Sequence, residues 1–312
     1  MKVIFNRYGN GAEELVSVLG LVDADTDITK WIPIFPLSIR RLTAIVGEEV
    51  YREAERLYYQ NEALNEDEQE LIRLVQQPLA LFTWLKVIPT LDAQHGNSGR
   101  QRRLGENEKG LTALQEFKDE ENILNLAYES VDNLVAHLEE RAYDFWNESA
   151  KKKELSKLLI RSKQEFDEYY MLGSHRLFLT LVPIMKEVQD RYIIPAVTTA
   201  VFDKLLGGDK SVSELKDRAA RPLALLTMAK AVERLPIEVL PEGVVSVQQI
   251  GTIKEKQRAE ADMRKAVAKS LTDDAERDLL NLWNEVKSLL FPAEETDAYI
   301  SKPQVQSKGV TF

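Results

Sequence analysis

Three groups of residues have types and spacings that raise the question of chemistry. Asp273, Asp274 and Asp278 spell DDxxxD, which loosely matches the aspartate-rich helices that hold magnesium-diphosphate. A metal-dependent enzyme built around Asp273 and Asp274 is one reading. It lacks a second aspartate-rich segment to complete the cation's oxygen shell. A simpler account makes Thr272 a helix N-cap, with Asp273, Asp274 and Glu276 in a first turn where the helix dipole favours carboxylates. The three histidines, His95, His137 and His175, are scattered, and no HExxH occurs. Gly96 and Gly99 with Arg100, Arg102 and Arg103 suggest phosphate contact, but a Walker loop needs GxxxxGK[ST] between strand and helix. A β-hairpin with a basic edge explains them as well. No GxSxG or Ser/His/Asp set stands out. The sequence therefore assigns no catalytic, cofactor-binding or metal residue, and the expectation is a protein that is not an enzyme.

Composition narrows the classes. The 312 residues carry a net charge of −10 and no cysteine. Duplex binders usually present a basic face that releases counterions, so DNA contact is expected to be indirect at most. Without cysteine there is neither a disulfide nor a thiolate site. Arg7, Glu13 and Glu14 interrupt the first apolar run, which therefore does not read as a signal peptide, and no membrane span is expected.

The element that must organise any site occurs twice. Residues 78–83 read PLALFT and residues 222–227 read PLALLT, 222 − 78 = 144 positions apart. Each follows an acidic helical run and precedes a turn-rich stretch. The expected fold is mainly α: two tandem related helical-bundle modules, each with a projecting β-hairpin. The expected organisation is an N-terminal arm (1–36), module one (37–150) with a hairpin at about 91–105, module two (151–292) with a hairpin at about 237–251, and a polar C-terminal tail (293–312).

Local signals fill in this frame. Val3–Phe5 reads as a short strand and 12–19 as a short helix. Pro33 and Pro36 bar a continuous helix through WIPIFP, whose Trp31, Ile34 and Phe35 are too apolar for a free linker. They dock either on the chain's own first module or on a neighbouring subunit. Ser38 caps a helix running to Tyr59, and Asn65 with Glu68 forms a capping box. Pro78 opens a new helix that Pro89 closes. Two helices are expected over 106–118 and 120–147. Ser213 caps the helix leading into Pro222, and two more helices cover 252–269 and 273–290.

The segment FDEYYMLGSHRLFLTLVPIMKEVQDRYIIPAV, the PLALLT helix and VLPEGVVSV together resemble a family of unknown function found in phages and prophages of Bacteroides-like bacteria. The similarity is best over about 155–290 and reaches module one through the repeat. The resemblance implies a virion structural protein similar to head–tail connectors. Such a protein assembles as a homo-oligomeric ring against portal, capsid or tail proteins, after a period in the host cytoplasm. Candidate partner contacts are then Trp31, Ile34 and Phe35 in the arm, Arg100, Arg102 and Arg103 in the first hairpin, Val244 and Val245 in the second, and Phe312 in the tail. The alternative is a cytoplasmic helical adaptor, a protein-binding module without a virion role.

Overall fold

The computed structural model describes residues 1–9, 12–23, 25–96, 99–102, 111–235 and 253–290. The chain divides into two compact units, residues 1–152 and 153–312, close to the expected module boundary.

Unit 1 begins with α1 (Glu13–Leu19) and a 3-10 turn (Ile28–Lys30). α2 (Phe35–Val46) and α3 (Glu48–Tyr59) follow, then the long α4 (Glu66–Asp92). Two four-residue strands come next, β1 (Ala93–Gly96) and β2 (Gly99–Arg102). They pair antiparallel, with Ala93 opposite Arg102 and Gly96 opposite Gly99. α5 (Ala113–Arg141) and the short α6 (Asp144–Asn147) complete the unit, and α7 (Ala150–Leu155) runs across the boundary. The second hairpin, expected at 237–251, lies outside the described residues.

α4 is the core of unit 1 and packs against α1, α2, α3 and above all α5. By length and composition Glu66–Leu91 is apolar enough to cross a membrane, but 61% of that window is buried inside the unit. Leu71, Val75, Leu79, Phe82 and Val87 are fully covered, as a core helix requires. Pro78 and Pro89 lie inside α4 and do not bound it. An interior proline costs about 3 kcal/mol. Five buried side chains at roughly 1.5–3 kcal/mol each outweigh that. The expected capping box is present: the Glu68 amide donates to Asn65 Oδ1 and the Asn65 amide to Glu68 Oε2, both at 2.9 Å.

The expected arm is part of unit 1. Residues 3–5 form no strand. Instead, side chains satisfy their backbone: Tyr51 donates to the Lys2 carbonyl (2.8 Å), Tyr59 to Val3 (2.6 Å) and Gln76 to Ile4 (2.6 Å). Trp31 stacks on Trp84 with ring centroids 5.2 Å apart, and Phe35 stacks on Phe5 at the same distance. Pro36 sits in the first turn of α2, where its missing N–H costs nothing, so it starts that helix where a break was expected. Ser38 is consequently buried within α2 and caps nothing. The helix expected to continue to Tyr59 breaks at Gly47, whose φ of 94° separates α2 from α3. The break expected between 118 and 120 does not occur: α5 runs unbroken from a capping box of Thr112 and Gln115 to Arg141, and α6 follows; residues 106–110 lie outside the described residues.

Unit 2 contains α8 (Lys163–Asp167) and α9 (His175–Val188), with Pro183 inside the latter. A π-helical turn (Gln189–Ile193) leads into α10 (Ile194–Val197) and α11 (Thr199–Leu206). The Gln189 amide bridges the segment before α8: its Oε1 accepts from the Leu159 amide at 2.9 Å and its Nε2 donates to the Lys157 carbonyl at 3.0 Å. α12 (Glu214–Arg234) carries Pro222 in its interior and packs chiefly on α13 (Ile253–Leu290). The expected Ser213 cap is absent, since its side chain makes no capping bond at α12. The break expected at Thr272 does not occur. Thr272 lies mid-helix and donates to the Ala268 carbonyl at 2.8 Å.

Candidate functional site

The repeat places equivalent side chains in equivalent burial. Shifted by 144 positions, the buried α4 set becomes Leu215, Ala219, Leu223, Leu226 and Ala231 of α12, also buried. Thr83 donates to the Leu79 carbonyl and Thr227 to Leu223, each at 2.7 Å. In the following helix Ala127, Val131, Leu134 and Leu138 match Ala275, Leu279, Leu282 and Val286 at a shift of 148, all buried. A third correspondence was missed in the sequence. AIVGEEVY (44–51) and PAVTTAVF (195–202) both place a positive-φ residue between two helices. Gly47 has φ 94°, ψ 158°, and Thr198 has φ 73°, ψ 152°. Val50 and Tyr51, like Val201 and Phe202, then enter the core. Gly47 alone does not announce a repeat, because threonine stands in its place.

Two of the aspartates that raised the question of chemistry are paired with arginines. Asp274 pairs with Arg277 one turn on, and Asp278 accepts from Arg221 Nη1 at 2.6 Å. Among the described residues no group of three His, Cys, Asp or Glu is arranged to hold a metal. His137 Nε2 lies 3.0 Å from the Tyr143 hydroxyl.

One open groove of about 370 Å³ lies in unit 2, lined by Tyr169, Asp217, Arg218, Arg221, Asp278 and Leu282 among others. Its charges neutralise one another. Arg218 donates to Glu285 (2.5 Å), Arg221 to Asp278, and Tyr169 to Asp217 (3.1 Å). Burial pushes the Tyr169 phenol up, and the Asp217 carboxylate pushes it further, so it stays protonated and is a poor base. Elsewhere in unit 2 Glu187 gathers Arg191, Lys230 and Arg234. The hydrogen bond from Arg234 chiefly holds its carboxyl below the usual carboxylate range.

The expected partner contacts divide. Trp31 (1% exposed) and Phe35 (0%) are core residues of unit 1 and are corrected as such; their indole and phenyl rings fill space beside Trp84 and Phe5. Ile34 is half-buried. The outward side of the same stretch consists of Ile32 (50%) and Leu37 (53%). Arg100 and Arg102 lie on β2. Arg103, Val244, Val245 and Phe312 lie outside the described residues. Sequence reading also passed over the start of α5. Residues 114–122 are all exposed, with Leu114 at 64% and Phe117 at 62%, and Leu111 just before the helix at 53%.

The family of unknown function DUF6712 matches residues 42–169 and 186–305. The chain belongs to this family. The two matches start 186 − 42 = 144 positions apart, the same interval as the proline helices. No curated protein and no solved structure matches the chain.

Proposed function

We propose that this DUF6712 protein is a non-catalytic structural protein that assembles with copies of itself into a ring, as a head–tail connector of a phage virion. In this reading it gathers in the host cytoplasm and then joins portal, capsid or tail proteins, each module offering a projecting hairpin as a contact element. The observation that carries the reading is the contrast between a well-filled repeated core and the exposed apolar residues at the start of α5, Leu111, Leu114 and Phe117, which suit a partner surface. The family resemblance supplies the virion setting. A net charge of −10 suits a channel that lets DNA pass without holding it.

Native mass spectrometry and negative-stain imaging of the full chain test this. Closed rings, or incorporation into particles when co-expressed with a portal protein, are expected. A chain that stays monomeric at every concentration and never enters particles overturns the proposal and favours the cytoplasmic adaptor.

A further inference from the structure

We infer that residues 2–7 lie in a peptide-binding groove of unit 1, and that the same groove takes this segment from a second copy of the chain. The inference rests on the self-assembly proposed above and names the surfaces that meet.

Residues 2–7 belong to no helix or strand, yet side chains of distant elements hold their backbone. The Lys2 amide donates to Glu55 Oε1 at 2.9 Å, and the Asn6 amide donates to the Glu14 carboxylate. The Arg7 amide donates to the Tyr58 hydroxyl at 2.9 Å. Its guanidinium donates to the Tyr58 and Gln60 carbonyls (2.8 and 2.7 Å) and to Asn61 Oδ1 (2.8 Å). Tyr51, Tyr59 and Gln76 donate to the carbonyls of Lys2, Val3 and Ile4. Between these bonds Ile4 and Phe5 are buried, Phe5 against Phe35. A receptor holds an extended peptide in this way: main-chain hydrogen bonds give affinity, and side-chain pockets give specificity.

Three features fit a segment arriving from another copy. Met1, Lys2 and Tyr8 are exposed, so the segment enters and leaves the groove at the surface. Tyr51 and Gln76 are buried, so an emptied groove leaves their donors without acceptors and favours an identical replacement. The groove is also not a demand of the repeat. The shift of 198 − 47 = 151 sets Phe202 against Tyr51, and the shift of 144 sets Ala220 against Gln76; neither side chain carries a donor. Exchange of an identical element keeps every contact. Reciprocal exchange closes a dimer, and giving to one neighbour while receiving from another builds a ring.

The full chain tests this. Ile4→Asp with Phe5→Asp weakens the chain's own segment and leaves the groove intact. A fluorescent peptide of residues 1–9 should bind that variant at least 10-fold more tightly than wild type, whose groove is already filled. Should the variant lose its helical circular dichroism, Arg7→Ala takes its place, since it removes the guanidinium's three hydrogen bonds. A folded variant that ignores the peptide, or binds a scrambled one equally well, overturns the groove. Because the chain has no cysteine, exchange is read by mixing a Lys2→Cys chain with a Glu55→Cys chain. Disulfide-linked dimers are expected, and adding Ile4→Asp/Phe5→Asp to the Lys2→Cys chain should abolish them. Linking that survives this addition overturns exchange. A wild type that never associates overturns the proposed function and this inference with it. Wild-type rings matched by equally good rings from the folded Ile4→Asp/Phe5→Asp chain overturn this inference alone.

Discussion

The two units solve one packing problem with different side chains. Where unit 1 has Tyr51, Ala54, Phe82 and Trp84, unit 2 has Phe202, Leu205, Leu226 and Met228. Arg41 lies over the Phe82 ring at 4.3 Å and donates to the Tyr128 hydroxyl at 2.6 Å. Trp84 is closed off by Trp31 from the arm. In unit 2 the matched Leu226 and Met228 are buried in the core. The difference shows that the helix frame is set by small residues and spacing, while bulk can be redistributed. It also explains the arm: Trp31 covers the Trp84 indole, where unit 2 has Met228.

The largest expected effect separates the two cores. Phe82→Ala should cost unit 1 about 3–5 kcal/mol, and Leu226→Ala should cost unit 2 about 2–5 kcal/mol. Denaturant unfolding followed by hydrogen exchange should show each loss confined to its own unit. A loss spread equally over both would mean the units are not separate cooperative cores.

The positive-φ joints give the next test. At φ 73°, ψ 152° Thr198 occupies a region kept almost wholly for glycine. Thr198→Gly should therefore stabilise unit 2 by about 1 kcal/mol. Gly47→Thr should cost unit 1 about 1–3 kcal/mol. The Cβ added at Gly47 would sit 2.9 Å from Glu49 Oε2, a flexible end that can move, so the backbone angle decides the sign. Thermal melts of the two variants shifting in the same direction would sink the equivalence of the joints.

Capping differs between the two proline helices. Asn65→Ala should destabilise α4 by about 1 kcal/mol, since it removes a reciprocal cap. Ser213→Ala should change stability by no more than about 0.5 kcal/mol, since that side chain makes no capping bond at α12. Equal losses in the two melts would show that Ser213 does cap.

The smallest effect is electrostatic and confined to unit 2. Glu187 titrates below its ordinary value of 4.5 in the folded chain, chiefly through Arg234. A depressed carboxyl contributes stability above its unfolded value and loses it as pH falls through the folded one. Arg234→Ala should thus flatten part of the acid-side slope below about pH 4.5, by slightly lowering stability at neutral pH while leaving it nearly unchanged at low pH where Glu187 is protonated. An unaltered slope in urea melts at graded pH would rule Glu187 out as its source.

These contrasts also mark what could be read from residue types. The duplicated proline helix, its Thr and its buried leucines were legible because they lie at one fixed interval. The Asn65 capping box was legible because both partners are local. Helix ends were less so. Pro78 and Pro89 looked like boundaries, and only surrounding burial makes them tolerable inside α4. Thr272 resembled a cap, yet Ala268 and Ala275 pack on both sides of it and keep α13 running. The joint at Thr198 was hidden because tertiary packing imposes a backbone angle that threonine does not advertise. Trp31 and Phe35 misled because apolar residues beside prolines fit a docking arm and a core equally well.

The parallel stacking of Trp31 on Trp84 has an optical consequence. Two indoles at 5.2 Å with their planes 10° apart couple their excited states. The chain's other two tryptophans, Trp146 and Trp283, have no such partner among the aromatic pairs described. Seating of the first thirty-six residues therefore writes its own signature into the near-ultraviolet spectrum, and no added dye is needed to follow whether they stay docked.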